Sequence, residues 1–497
     1  MTTIPSHDGT PAPVLDAVVV GGGIAGLVAA RTLVADGFAP VVVEASEICG
    51  GYLARADVGP AGVPVVVDSG AESYASRSQA IAALVAELGL EAVEPSGLSA
   101  WGYVPEGTGP RAAPRRPRGR AFPLPKAGVL GIPGHVWASD TCRAIGVVGA
   151  LRASLDRVLP ASRVDTSTLA SLVESRLGRR VLDRLVTPVA GGVHSTDPAL
   201  LSVDAVAPGL LTAYERTGSL AAAVRSLRAQ APAGSAVRGL VGGMNQLVAA
   251  LETAVEAGGS IRRSTGARQL RRTGDVWEVR LTTGETLRTA RVVLAVGGHT
   301  AVALLGDLVD TAGAAPVRGT DIRLVTLVLR APALGDAPRG TGVLVAPGSD
   351  VVAKGSTHAS AKWPWLRKRL DATLGPDAHV VRLSYGRGGA GPAGADLDAA
   401  APDETFVTQA VLDVQALYGV PLASDDVLSS AVTRWDDALS PPTPAHRART
   451  SRLVSDVAAL GSSGAPGLSV TGAWVAGTGL AAVVPHAQAA ARSLDLS

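Results

Sequence analysis

The chain has 497 residues, 47% hydrophobic and 18% charged, with a formal net charge of +2; at about 150 residues per domain this amounts to two or three packed cores. So small a charge excess gives no bulk argument for nucleic acid, and the two cysteines, Cys49 and Cys142, fall in no CxxC or Cys/His pattern, against a disulfide framework or a structural zinc. The opening MTTIPSHDGTPAPVLD carries no basic or apolar signal region, and no run reaches the ~18 apolar residues that span a bilayer; a soluble, cytoplasmic protein with no transmembrane segment is expected, peripheral membrane contact being left open.

Asp16–Val20 is an apolar, β-branched run of the kind buried in parallel strands. Gly21-Gly22-Gly23-Ile24-Ala25-Gly26 follows as G-x-G-x-x-G, and Ile24–Ala35 carries helical apolar spacing. In such a loop the first glycine permits a tight turn, the second lets backbone approach a pyrophosphate, and the third lets helix and strand pack closely. The free N–H groups of the helix and its dipole then favour the phosphate charge. A second strand, Pro40–Val43, ends in Glu44, 18 positions after Gly26, where a carboxylate accepts hydrogen bonds from ribose hydroxyls. The bland alternative is a strand–turn–helix with an exposed acid. Gly50-Gly51 and Asp68-Ser69-Gly70-Ala71-Glu72-Ser73 lie just beyond; a nicotinamide site does not require that continuation, whereas a long extended dinucleotide such as FAD suits it.

Arg111, Arg115, Arg116, Arg118 and Arg120 form a basic run in a Pro/Arg tract at 105–120. It is expected as a solvated surface loop, or else as a cationic rim whose guanidinium forks match carboxylates. Ile145–Leu159, Thr168–Leu177 and Leu220–Ala229 have helix-like spacing. Gly242-Gly243-Met244 opens a further helix, a hairpin turns at Thr283-Gly284, and Val292–Val296 reads as a strand. Arg323–Leu329, Val343–Ala346 and Val380–Tyr385 are apolar runs between turn residues, as in a mixed sheet, and a Gly/Ala tract at 386–401 is a second surface loop. Leu468–Trp474 reads as a strand, Ala476–Leu480 as a turn and Ala481–Leu494 as a closing helix, whose N-terminus can face N1 and O2 of an isoalloxazine and stabilise negative charge there. The fold expected is α/β. A Rossmann-like FAD-binding domain is drawn from 14–88, 236–300 and 455–497, a mixed-sheet substrate domain from 89–122 and 301–454, and a helical insertion from 123–235.

Several stretches together resemble the FAD-dependent coproporphyrinogen III and protoporphyrinogen oxidases of haem biosynthesis, within the monoamine-oxidase-like flavoproteins. The glycine loop and EASEICGG are common to that whole group. More specific are Phe122-Pro123-Leu124-Pro125 with Val129-Leu130-Gly131-Ile132-Pro133, the stretch from Arg176-Leu177-Gly178 through Thr187-Pro188 to Gly191-Gly192-Val193, Gly218-Ser219-Leu220, Gly342–Val345, Lys362-Trp363-Pro364 and Arg434-Trp435. The soluble bacterial coproporphyrinogen branch is the most similar. The resemblance implies FAD, with Gly21–Gly26 on the pyrophosphate, Glu44 and Ala45 at the adenosine ribose, Ala267 at the adenine, Gly51 and Gly70–Ser73 along the flavin, and Trp435, Gly479 and Leu480 beside the isoalloxazine. It implies oxidation of a tetrapyrrole, coproporphyrinogen III to coproporphyrin III, with dioxygen reduced to hydrogen peroxide, and a transient contact with a ferrochelatase.

The chain also departs from the family. Tyr52 stands where a basic residue follows the double glycine, Ala71 where a proline stands, His194-Ser195-Thr196-Asp197 where the family has YAGD, and Gly479-Leu480-Ala481 where it has G-I-P. Ser440–Ala445 replace a PQY segment before His446, and Val296–His299 lack a proline. Other readings therefore stay open: a protoporphyrinogen IX oxidase, another amine or polyene flavin oxidase, or a flavin- or porphyrin-binding protein without turnover. Arg120, His194 and Lys354 are the candidate substrate contacts. Against them stand a solvated arginine, a packed or surface histidine, and a lysine beside core tryptophans. The eight histidines form no H-E-x-x-H or His/Cys pairing, so no metal is expected, and no catalytic acid or base is assigned.

Overall fold

Five short runs, apolar except at Ser260, Arg262, Arg291 and Ser469, make the first sheet. In the computed structural model, which describes residues 13–105, 119–125, 128–160, 164–194, 197–230, 236–311, 318–386, 397–438, 444–461 and 467–495, they lie in the order Ser260–Arg262, Pro40–Val43, Ala17–Val20, Arg291–Leu294, Gly467–Val470, all parallel. Strands covered on both faces need no polar alternation, which is why Pro40–Val43, Ala17–Val20 and Arg291–Leu294 read as runs of valine, whereas the half-buried edge strand Ser260–Arg262 does not. Val19, Val42 and Val293 face helices Ile24–Ala35, Asn245–Glu256 and Leu480–Arg492. Val18, Val41 and Val292 face the opposite layer, a sheet built from Val14–Leu15, Thr286–Thr289, Val276–Leu281 and Ala267–Thr273, together with helix Pro444–Gly461.

The second large sheet has seven strands in the order Val427–Trp435, Ile322–Arg330, Ala378–Tyr385, Gly355–His358, Gly342–Val345, Trp101–Pro105, Gly119–Pro123. Only Gly342–Val345 beside Trp101–Pro105 is parallel; the other pairings are antiparallel. One face buries Val325, Leu327 and Leu383 against helix Asp403–Tyr418. The other buries Val328 and Val380 against helix Pro364–Thr373 and against Val67.

A third body is helical. Ser139–Ser154, Leu169–Leu177, the run 179–194 with a wider π turn over Leu182–Val186, Leu210–Thr217 and Leu220–Gln230 share one core. Within it the Arg176 guanidinium, fully buried, pairs with Asp156 at 2.7 Å. The Asp156 carboxylate also accepts the backbone N–H groups of Leu220 and Ala221 and the Ser219 hydroxyl, capping the helix they open.

The α/β class expected from the sequence is the class observed, and Ile24–Ala35 and Pro40–Val43 have the expected limits. Three elements differ. The C-terminal strand stops at Val470, and Trp474 sits in a helical turn, Ala473–Ala476, where its indole N–H donates to the Val296 carbonyl at 3.0 Å. Arg120 belongs to a strand and not to a loop, because Gly119–Pro123 pairs with Trp101–Pro105. The helix expected from Ile145 starts at Ser139 and is broken at Gly146, whose φ of 71° and ψ of 168° leave three carbonyls without helical partners. Arg120, Arg184 and Arg180 donate to those carbonyls, of Arg143, Ala144 and Ile145 respectively. Arg111, Arg115, Arg116, Arg118 and most of the 386–401 tract lie outside the described residues.

Candidate flavin site

The glycine loop is held by close backbone contact and by one side chain, the carboxylate of Glu44. A methyl carbon added at Gly26 would stand 1.8 Å from the carbonyl oxygen of Gly21, so only glycine lets the helix start this close to its strand. The helix Ile24–Ala35 has no side-chain cap and no acid in its first turn, so its leading N–H groups are left for an external acceptor. Space above Gly23 is open: an added carbon there meets nothing within 4 Å. Gly22 donates its N–H to Glu44 Oε2 at 2.6 Å and Ser46 donates to Oε1 at 2.8 Å. The two bonds fix the carboxylate in plane and leave it lone pairs for hydroxyl donors.

Around this loop the fold gathers most of the other expected residues. Gly50 donates to the Gly22 carbonyl at 2.9 Å, and Gly51 lies against Gly23. Thr265 donates to the Glu44 carbonyl at 2.7 Å and Gly266 packs on Ala45, which sets Ala267 at the Glu44 end of the site. Ala71 donates to the Tyr52 carbonyl at 2.8 Å, bringing Gly70–Ser73 alongside Gly51-Tyr52. The Trp435 indole donates to the Ser69 carbonyl at 2.9 Å, and its ring meets that of Tyr52 edge to face with centroids 5.1 Å apart. Gly479 caps helix Leu480–Arg492 with no side-chain acceptor and open space above it; this second uncapped helix start packs against Ile24–Ala35 through a shared core.

The substrate candidates fall elsewhere. Arg120 is exposed and spends one N–H on the Arg143 carbonyl at 2.6 Å. Lys354 is 4% exposed and donates to the Gly386 carbonyl at 3.0 Å. His194 ends the helix Thr187–His194, and its side chain lies outside the described residues, as do Ser195, Thr196 and the segment 439–443.

Glu72 has its backbone beside Gly51-Tyr52, but its side chain points elsewhere. Its carboxylate turns away into the large sheet, 2.5 Å from Lys362 Nζ and 3.3 Å from an Arg382 guanidinium nitrogen. Burial alone would raise its pKa, but the two cations hold it at about 2. Sequence reading did not find Arg382. The one signal was a lone arginine inside the apolar run Val380–Tyr385.

Two uncapped helix N-termini, an oriented acid at the end of the second strand and glycines with open space above them at Gly23 and Gly479 fit an extended dinucleotide, and fold and site together define an FAD-dependent oxidoreductase. The chain belongs to the flavin containing amine oxidoreductase family, which it matches over residues 24–320. Over nearly its whole length it is similar to the coproporphyrinogen III oxidases of Mycobacterium leprae (30% identical, 96% of this chain and 97% of that protein) and Bacillus subtilis (24%, 95% and 96%). Its fold is that of a protein from Exiguobacterium sp. 255-15 provisionally named a protoporphyrinogen oxidase (22% identical, 97% and 99% covered, TM-score 0.78) and of cyclohexylamine oxidase from Brevibacterium oxydans (14%, 97% and 99%, 0.63). Among the described residues no helix is long and apolar enough to cross a membrane.

Proposed function

We propose that the protein oxidises coproporphyrinogen III to coproporphyrin III, passing electrons through FAD to dioxygen. One hydrogen peroxide forms for each pair of electrons removed. The observation that carries this reading is the similarity to coproporphyrinogen III oxidases across 96% of the chain, joined to a glycine loop and a following acid that suit a dinucleotide. When bound, FAD supplies the two-electron acceptor, as the redox chemistry of such enzymes resides in the cofactor.

In this reading Gly21–Gly26 hold the pyrophosphate, Glu44 and Ala45 the adenosine ribose, and Ala267 the adenine. Gly51, Gly70–Ser73 and Trp435 flank the isoalloxazine, and the N–H groups opening at Gly479-Leu480 favour negative charge at its pyrimidine end. The edge-to-face pair of Tyr52 and Trp435 lies along the flavin edge of the site. Arg120, with donors to spare beyond Arg143, meets a substrate carboxylate; His194 is kept as a further substrate contact, and Lys354 secures Gly386. The proposal keeps the three-part domain division, supported by strands from 14–88, 236–300 and 455–497 meeting in one parallel sheet. A cytoplasmic location and a passing contact with a ferrochelatase that takes the product belong to it as well.

The test is porphyrin fluorescence in air after adding purified protein to freshly reduced coproporphyrinogen III, with a protein-free control and parallel runs on protoporphyrinogen IX and a primary amine. A catalysed rise, fastest with coproporphyrinogen, is expected. A faster protoporphyrinogen run would move the substrate, peroxide release from the amine alone would make it an amine oxidase, and FAD-bound protein inert to all three would end the enzymatic reading.

A further inference from the structure

The segment Asp68–Glu72 is gripped from two sides, and the two grips come from different sheets. On the side of the glycine loop, Ser69 and Ala71 donate their N–H groups to the carbonyls of Ala54 and Tyr52 at 2.9 and 2.8 Å. The Asp68 carboxylate accepts the N–H groups of Met244 and Asn245, each at 2.9 Å, at the start of helix Asn245–Glu256. On the other side, three consecutive carbonyls are taken by side chains of the seven-stranded sheet. Arg382 donates to Asp68 at 3.1 Å and to Gly70 at 2.7 Å, and the Trp435 indole donates to Ser69 at 2.9 Å. A further N–H face of the same guanidinium meets Glu72 at 3.3 Å, and Lys362 holds the other Glu72 oxygen at 2.5 Å. Glu72 and Arg382 are 13% and 14% exposed at the side chain, so these charge-assisted bonds are little diluted by water.

A planar guanidinium with five donors is the one side chain that can serve two carbonyls and a carboxylate together; an ammonium carries the charge but not that fork. We propose that Arg382 is a positioning residue for the flavin: with Glu72 and Lys362 setting its orientation, it fixes the backbone of residues 68–70 against the isoalloxazine and so ties the substrate sheet to the cofactor. This rests on the placement of FAD along Gly70–Ser73 proposed above.

The experiment compares Arg382→Lys with Arg434→Lys, an exposed arginine of the same sheet paired to Asp403, using the full chain stripped of cofactor and titrated with FAD. Arg382→Lys is expected to weaken FAD binding about tenfold to a hundredfold and to blur the resolved fine structure of the visible flavin band. Melting of the cofactor-free protein should stay near wild type, and Arg434→Lys should leave all three readings unchanged. Wild-type affinity and band shape in Arg382→Lys would overturn the proposal. If that variant does not fold, Glu72→Gln, which keeps shape and removes the carboxylate that orients the guanidinium, must show the same spectral change in smaller degree, and its absence would likewise overturn it. No porphyrinogen enters these measurements. A wild type that binds FAD but leaves porphyrinogens untouched defeats only the proposed function, and a fully active enzyme with an indifferent Arg382→Lys defeats only this inference.

Discussion

At Gly26 the nearest neighbour of an added side chain is backbone, the Gly21 carbonyl, which cannot step aside. Gly26→Val is therefore expected to give protein without yellow colour, read as loss of the visible flavin absorbance after purification; retained colour would mean the helix can shift. Glu44→Ala removes the acceptor that Gly22 and Ser46 orient, and FAD affinity should fall by about tenfold, one hydrogen bond to a charged group. Arg176 is of another kind. It is fully buried with Asp156 as its only carboxylate partner among the described residues. Arg176→Met leaves that carboxylate buried and uncompensated, at a cost of about 3–5 kcal/mol, to be measured as a shift in urea midpoint at constant slope. The histidines His358 and His379 face each other at 3.1 Å in the core. Burial first, then the charge of the facing ring and of Arg367, pushes His358 down to about 3; burial and Arg367 push His379 to about 4.

Among the elements, Ser139–Ser154 shows what a local conformation can impose. Gly146 adopts a backbone that only glycine holds without strain. The three arginines that close on residues 143–145 come from a strand and from the π-turn region, so the break is built into the packing. Gly146→Ala should cost about 1–3 kcal/mol, visible in the same urea titration. The parallel strands were legible because burial on both faces writes itself as runs of valine. The end of Gly467–Val470 was not: Val470 and the β-branched Thr471 lead toward the apolar Ala473-Trp474 without a marked break except Gly472, and the chain turns into Ala473–Ala476 where the Trp474 indole is held by Val296, 178 residues away in sequence. The 119–123 strand was hidden for a similar reason, its partner Trp101–Pro105 lying on the far side of a Pro/Arg tract that reads as loop.

For the whole molecule, the buried imidazoles make acid the vulnerable side. Below about pH 6.5, the ordinary value, the unfolded chain protonates both rings while the folded chain keeps them neutral. Stability should thus fall with pH down to about 4, by up to about 1.4 kcal/mol per pH unit for each ring. Glu72 adds its own loss only between its ordinary 4.5 and about 2. Denaturant titrations across pH 4–7 check this, and His358→Gln should flatten the slope; an unaltered slope would assign the acid loss to other groups. The glycine loop, the strand before it and the acid after it were written locally, within the 29 consecutive residues Asp16 to Glu44, because phosphate binding at a helix start needs only neighbours in the chain. What ties them to the rest of the protein was not. Glu72 meets Lys362 across 290 residues, Gly70 meets Arg382 across 312 and Ser69 meets Trp435 across 366. Sequence by itself determined the α/β class and the glycine loop with its following acid, since each follows from short-range pattern. Only the tertiary structure decided that Glu72 turns from the cofactor toward two cations and that Arg382 closes over its backbone, because partner choice for a buried charge is set by which distant strands the fold brings within reach.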